Sequence, residues 1–150
     1  MDENQVVAAV CQDLENKGYF ILQKCHTKQH GIDIIAEHQV SKQKLLIEAK
    51  GGTSSREGSS RFGKAYTQSQ VFDVTSKGLF TVLHHRVGNP KTMVALAVPE
   101  GRWFRHYLDP LFPMLQQLQV VVALVGQNNE VNWVNSTPNQ SSQSCTLPRI

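Results

Sequence analysis

Little in this chain is paired, repeated or strongly charged. Its three cysteines, Cys11, Cys25 and Cys145, are an odd number with no CxxC spacing. That argues against a disulfide framework or a cysteine-rich zinc site and points to a reduced, cytoplasmic setting. No apolar run approaches the roughly 20 residues that span a bilayer. The longest, Val120 to Val125, has the length of a buried strand. The opening MDENQ is acidic, unlike the basic start of a signal peptide. Neither a GxxxxGK[ST] loop nor a GxGxxG fingerprint occurs, so ATP- or NAD-dependent chemistry has no support. A net charge of +3 and a pI near 8.8 permit a polyanionic partner without demanding one. No repeat of 20 to 50 residues is visible.

What remains is a chain of 150 residues, 40% hydrophobic and 18% charged, the make-up of one domain with one core. Val6, Val7, Val10, Cys11 and Leu14 recur at helical spacing between Glu3 and Lys17, and Gly18 follows as a stop. Tyr19 to Gln23 reads as a strand. Ile32 to Glu37 and Lys44 to Lys50, joined by a short polar turn, read as an antiparallel hairpin. The Gly/Ser-rich stretch from Gly51 to Gly63 is expected to be a mobile surface loop. A helix is expected from Ala65 to Val87, then a strand from Thr92 to Val98, a helix around Arg102 to Leu118, a strand from Gln119 to Val125 and a short strand near Val131 to Val134. This alternation implies an α/β sheet. Residues 135–150, rich in Ser, Asn and Gln, are expected to form a flexible polar tail after a domain spanning 1–134.

The informative stretch is GIDIIAEHQVSKQKLLIEAKGG, which sets an aspartate, a glutamate and a lysine into otherwise apolar strands. Side chains alternate along a strand, so Glu48 and Lys50 share one face. A turn centred between Val40 and Ser41 places Asp33 opposite Glu48 and Glu37 opposite Lys44; a bulge or longer turn would shift this by a residue. Two neighbouring carboxylates in a partly buried site favour a cation between them. Hard oxygen ligands suit Mg²⁺ or Mn²⁺. Such a metal acidifies a bound water and polarises a phosphoryl group, and a nearby lysine orients the nucleophile or offsets developing charge. That chemistry is phosphodiester hydrolysis. The plain alternative is an ordinary cross-strand ion network.

GID (31 to 33) followed by IEAK (47 to 50) resembles the split D…(D/E)xK signature of the PD-(D/E)XK nucleases, with Ile32 where the signature has proline. The element order from Glu3 to Val98 also resembles that superfamily's core. The resemblance implies a restriction-endonuclease-like α/β fold, with a mixed central β-sheet flanked by helices in the order α-β-β-β-α-β, then α-β. It implies Asp33 and Glu48 as metal ligands, helped by the Ala49 carbonyl, and Lys50 as the water-orienting group. It further implies a glutamate on the first helix, for which Glu15 is the candidate ahead of Asp13 and Glu3. A glutamine at the start of the later helix is also implied, Gln70 with Gln68 as the rival. The implied partner is nucleic acid, DNA before RNA. Ser54, Ser55, Arg56 and Arg61 are candidate phosphate contacts, with Lys64 and Tyr66 extending the same surface.

The remaining candidates favour plainer readings. Cys25, His26 and His30 lack a fourth zinc ligand. Cys11 on an apolar helix face packs as a small hydrophobe. Trp103, Phe104, Tyr107, Leu111 and Phe112 fit core packing. A chain this short would either act as a homodimer or borrow specificity from a larger protein partner. The rival function is an inactive nuclease fold retained as a nucleic-acid-binding or assembly module of a defence or repair complex.

Overall fold

The computed structural model describes residues 1–25, 31–54, 58 and 62–134. Helix α1 (Glu3–Asn16) opens on a capping box in which Asp2 and Gln5 each accept a hydrogen bond from the other's amide. Strand β1 (Tyr19–Lys24) follows, then β2 (Ile34–His38) and β3 (Lys44–Ala49). Helix α2 (Gln68–Gly88) leads to β4 (Met93–Pro99). Two short helices, α3 (Arg102–Leu108) and α4 (Phe112–Gln117), precede β5 (Val120–Val125) and β6 (Val131–Val134). The single helix expected around Arg102 to Leu118 is therefore broken. Pro110 and Pro113 lack an amide proton and clash with a preceding turn, so a 3₁₀ turn at Asp109–Leu111 separates α3 from α4.

The six strands form one mixed sheet in the order β1-β2-β3-β4-β5-β6. β1, β2 and β3 pair antiparallel, β3-β4-β5 pair parallel, and β6 returns antiparallel. Both parallel connections progress in the same direction, so right-handed crossovers put α2, α3 and α4 on one face of the sheet. α1 covers the other. Strand alternation divides the core accordingly. Leu45, Ile47 and Ala49 of β3 and Ala95 and Ala97 of β4 lie under α1, while Leu46, Val94, Leu96 and Val98 lie under α2 and α3. Among the described residues no helix is long and apolar enough to cross a membrane.

Two glycines let backbones approach. A Cβ on Gly51 would lie 2.5 Å from the Glu3 amide nitrogen and 2.8 Å from the Asp2 carbonyl carbon, so the start of α1 rests directly on the chain leaving β3. A Cβ on Gly78 would lie 2.7 Å from Leu96 Cδ1 and 3.1 Å from Lys50 Cγ, so α2 rests on the Lys50 stem. The described flanks of the Gly/Ser-rich stretch are tied down rather than loose. Thr53 bridges Ala65, Gly63 donates to the Ser54 carbonyl, and Tyr66 donates to the Gly52 carbonyl. The expectations for His26, His30, Ser55, Arg56, Arg61 and the 135–150 tail fall outside the described residues.

Gly51→Ala is expected to cost about 1–3 kcal/mol, because backbone atoms rather than a flexible side chain meet the new methyl. Urea unfolding should show a lower midpoint at unchanged slope; an unchanged midpoint would mean that α1 does not seat on Gly51 as described.

Candidate active site

The β2–β3 hairpin has the register that its turn implies. Glu37 pairs with Lys44 and Ile34 with Ile47, so Asp33 and Glu48 are the next positions outward. Asp33 itself lies just before β2, not within it. Its side chain takes over where the ladder ends: Oδ2 accepts the Ala49 amide at 2.7 Å. Its backbone carbonyl accepts the Cys25 amide, also at 2.7 Å, which carries the β1–β2 pairing one residue further.

Glu48 is only 7% exposed, and among the described residues it is the one charged side chain in the buried class. Lys50 lies on the same face, two residues on. Its Nζ donates to Glu48 Oε1 at 2.5 Å and to the Ala49 carbonyl at 2.9 Å. A third carboxylate, Glu3, approaches Lys50 Nζ at 3.9 Å from the first turn of α1. Burial raises the Glu48 carboxyl above its ordinary range; the Lys50 hydrogen bond and charge pull it back, and the charge of Asp33 pushes it up again. Burial likewise raises Glu3, opposed by Lys50 and reinforced by Asp33 and Glu48. Burial pulls the Lys50 ammonium down, but Glu48, then Glu3 and Asp33, together raise it beyond its usual range. His85, on α2, has its proton affinity lowered by burial and by His84, and raised by Asp33.

The structure thus brings together Asp33, Glu48, the Ala49 carbonyl and Lys50, and joins Glu3 to them. Glu15 is not the first-helix carboxylate of this cluster. It lies twelve residues beyond Glu3, about 18 Å along the helix, and lines a groove with Cys11, Ile21 and Lys24. Strand direction explains the difference. α1, β1, β2 and β3 run alternately up and down, so the start of α1 shares an end with the start of β2 and the end of β3. That alternation was available from the element order alone, whereas the helical face that favoured Glu15 says nothing about which end of the helix is near.

Gln70 serves as the N3 residue of the α2 capping box, its Oε1 accepting the Thr67 amide at 3.0 Å. Gly78, eight residues and about 12 Å later along α2, is where this helix touches Lys50. Gln68 is exposed on a shallow groove with Thr67, Ser69, Phe72 and Tyr107. Ser54 lies four residues past Lys50, held by its Lys64 and Gly63 backbone partners. Lys64 is exposed, while Tyr66 packs against the α2-side core instead of extending a polar surface. Burial pushes the Cys11 thiol up to about 11, as befits a core residue.

Among the described residues no three His, Cys, Asp or Glu side chains are gathered tightly enough to enclose a metal ion by themselves. The donor set is instead open: two carboxylates, a backbone carbonyl and Glu3 nearby, all hard oxygen. Mg²⁺ commonly sits in such a site with one or two carboxylates and retained waters. No family model, curated protein or solved structure matches the chain.

Raised carboxyl pKa values stabilise the fold most below their unfolded values, near 4.5, and that contribution is lost as pH rises through the folded values. In EDTA the melting temperature of Glu48→Gln should therefore fall less than that of the parent between pH 4.5 and 8. Parallel pH profiles would show that Glu48 carries no such burden.

Proposed function

We propose that the chain is a metal-dependent nuclease with a restriction-endonuclease-like core, hydrolysing phosphodiester bonds in DNA in preference to RNA. The observation that carries this reading is the convergence of Asp33, Glu48, the Ala49 carbonyl and Lys50 at the carboxyl end of β3. Glu3 adds a third carboxylate from a separate element. In parallel sheets this end of the strands is where ligands are received. The mixed sheet, with its antiparallel β1–β3 and its β3-α2-β4 crossover, is compatible with that core.

In this reading Asp33 and Glu48 would hold Mg²⁺ or Mn²⁺ together with the Ala49 carbonyl. The chemistry such an ion would supply is acidification of a water and neutralisation of charge on the scissile phosphate. Asp33 holds one oxygen on the Ala49 amide, which ties its carboxylate to the end of β3 beside Glu48. Lys50 supplies a positive charge beside the phosphate and orients the attacking water. Glu3 adjusts the charge of the cluster and helps to hold the Lys50 ammonium in place.

Purified protein should cleave DNA in Mg²⁺ or Mn²⁺ and lose that activity in EDTA. Lys50→Ala and Asp33→Ala should lower the rate by about 100-fold or more, Glu3→Gln should lower it, and Glu15→Gln should leave it unchanged. Thermal melts establish that each variant is folded. Wild-type cleavage by folded Lys50→Ala would defeat the assigned roles. Failure of the parent to cleave any DNA or RNA while still binding it would favour the assembly-module alternative.

A further inference from the structure

We infer that the Lys50 ammonium is the resident cation of this site and that metal entry displaces it, so that loading the centre is an exchange of one cation for another. The inference rests on the metal reading above and adds how the chain manages the site before metal arrives.

Glu48 lies among apolar strands and cannot remain ionised there without a positive partner. Lys50 provides it, spending two donors on Glu48 Oε1 and the Ala49 carbonyl. Those are two of the oxygens that a metal in this site would require. Glu3 Oε2 stands 3.9 Å from the same Nζ, beyond hydrogen-bond length. A divalent ion ligated at about 2.1 Å would compete for the lone pairs that the ammonium occupies, and two cations this close repel strongly.

The stem of Lys50 is less free than its head. The α2 backbone at Gly78 runs along it, a Cβ there falling 3.1 Å from Cγ and 3.8 Å from Cε. Displacement is therefore a swing of the terminal bonds rather than withdrawal of the whole side chain. Once freed from Glu48 and Ala49, the ammonium swings away but stays tethered to the site by its stem, with donors available for a phosphate oxygen.

The test is Mn²⁺ titration of the parent and Lys50→Met, following free Mn²⁺ by electron paramagnetic resonance, with thermal unfolding in EDTA and in saturating Mn²⁺. Lys50→Met should bind Mn²⁺ at least about tenfold more tightly. It should melt below the parent in EDTA and recover the difference in Mn²⁺. A second measurement needs no variant: reductive methylation of Lys50, read by mass spectrometry, should rise several-fold when the parent is saturated with Mg²⁺. Equal or weaker Mn²⁺ binding by Lys50→Met, or Lys50 labelling indifferent to Mg²⁺, overturns the exchange alone. If neither protein binds Mn²⁺, the metal reading falls and takes the exchange with it.

Discussion

The peptide units around Ala49 are gripped from both sides. The Ala49 amide donates to Asp33 Oδ2, and its carbonyl accepts the Lys50 ammonium. Its methyl group is wholly buried beneath α1, and β3 is locked to β4 by parallel pairing through Ala49 and Ala97. The backbone here cannot rotate without breaking the sheet, so Asp33 and Lys50 are aimed by a rigid element rather than by a loop. Removing Asp33 would do more than delete a carboxylate. It would leave a buried amide without its partner, a loss of about 1–3 kcal/mol.

The cluster holds more carboxylates than cations. Glu3, Asp33 and Glu48 bring three negative charges when ionised and Lys50 brings one positive charge, leaving 3 − 1 = 2 negative. Burial first, and the neighbouring carboxylates after it, raise the Glu3 and Glu48 carboxyls, while Glu48, Glu3 and Asp33 outweigh burial at Lys50 and favour its charged form.

Much of this was legible in the sequence because it depends on periods and directions. The spacing of Glu37 and Lys44 about their turn fixes the hairpin register, and the same arithmetic carries outward to Asp33 and Glu48. The period of two that sets Glu48 and Lys50 on one face and Ala49 on the other agrees with the two core layers, Ala49 lying under α1 and Leu46 under α2. What escaped the sequence was set by contacts between distant segments. Glu3 joins the site because Gly51 lets the first turn of α1 rest on the end of β3, an approach that no helical wheel records. Gln70 resembles a substrate-contacting glutamine in a linear motif, yet its carbonyl oxygen is engaged by the Thr67 amide. Asp33 reads as a strand residue, yet stands one step outside the ladder and extends it with its side chain.

The residues of the sheet that face α1 include Ala36, Ala49, Ala95, Ala97 and Ala123. Ala49, Ala97 and Ala123 pair in one row across β3, β4 and β5, while the bulkier Leu45, Ile47 and Val121 face α1 further from the site, so at the level of Ala49 the helix meets the sheet across methyl groups. The reach of Glu3 toward Lys50 is measured from that helix. The interior beneath α1 thus serves as a gauge block for the chemistry at its end: bulkier residues there would widen the gap and move a carboxylate they never touch.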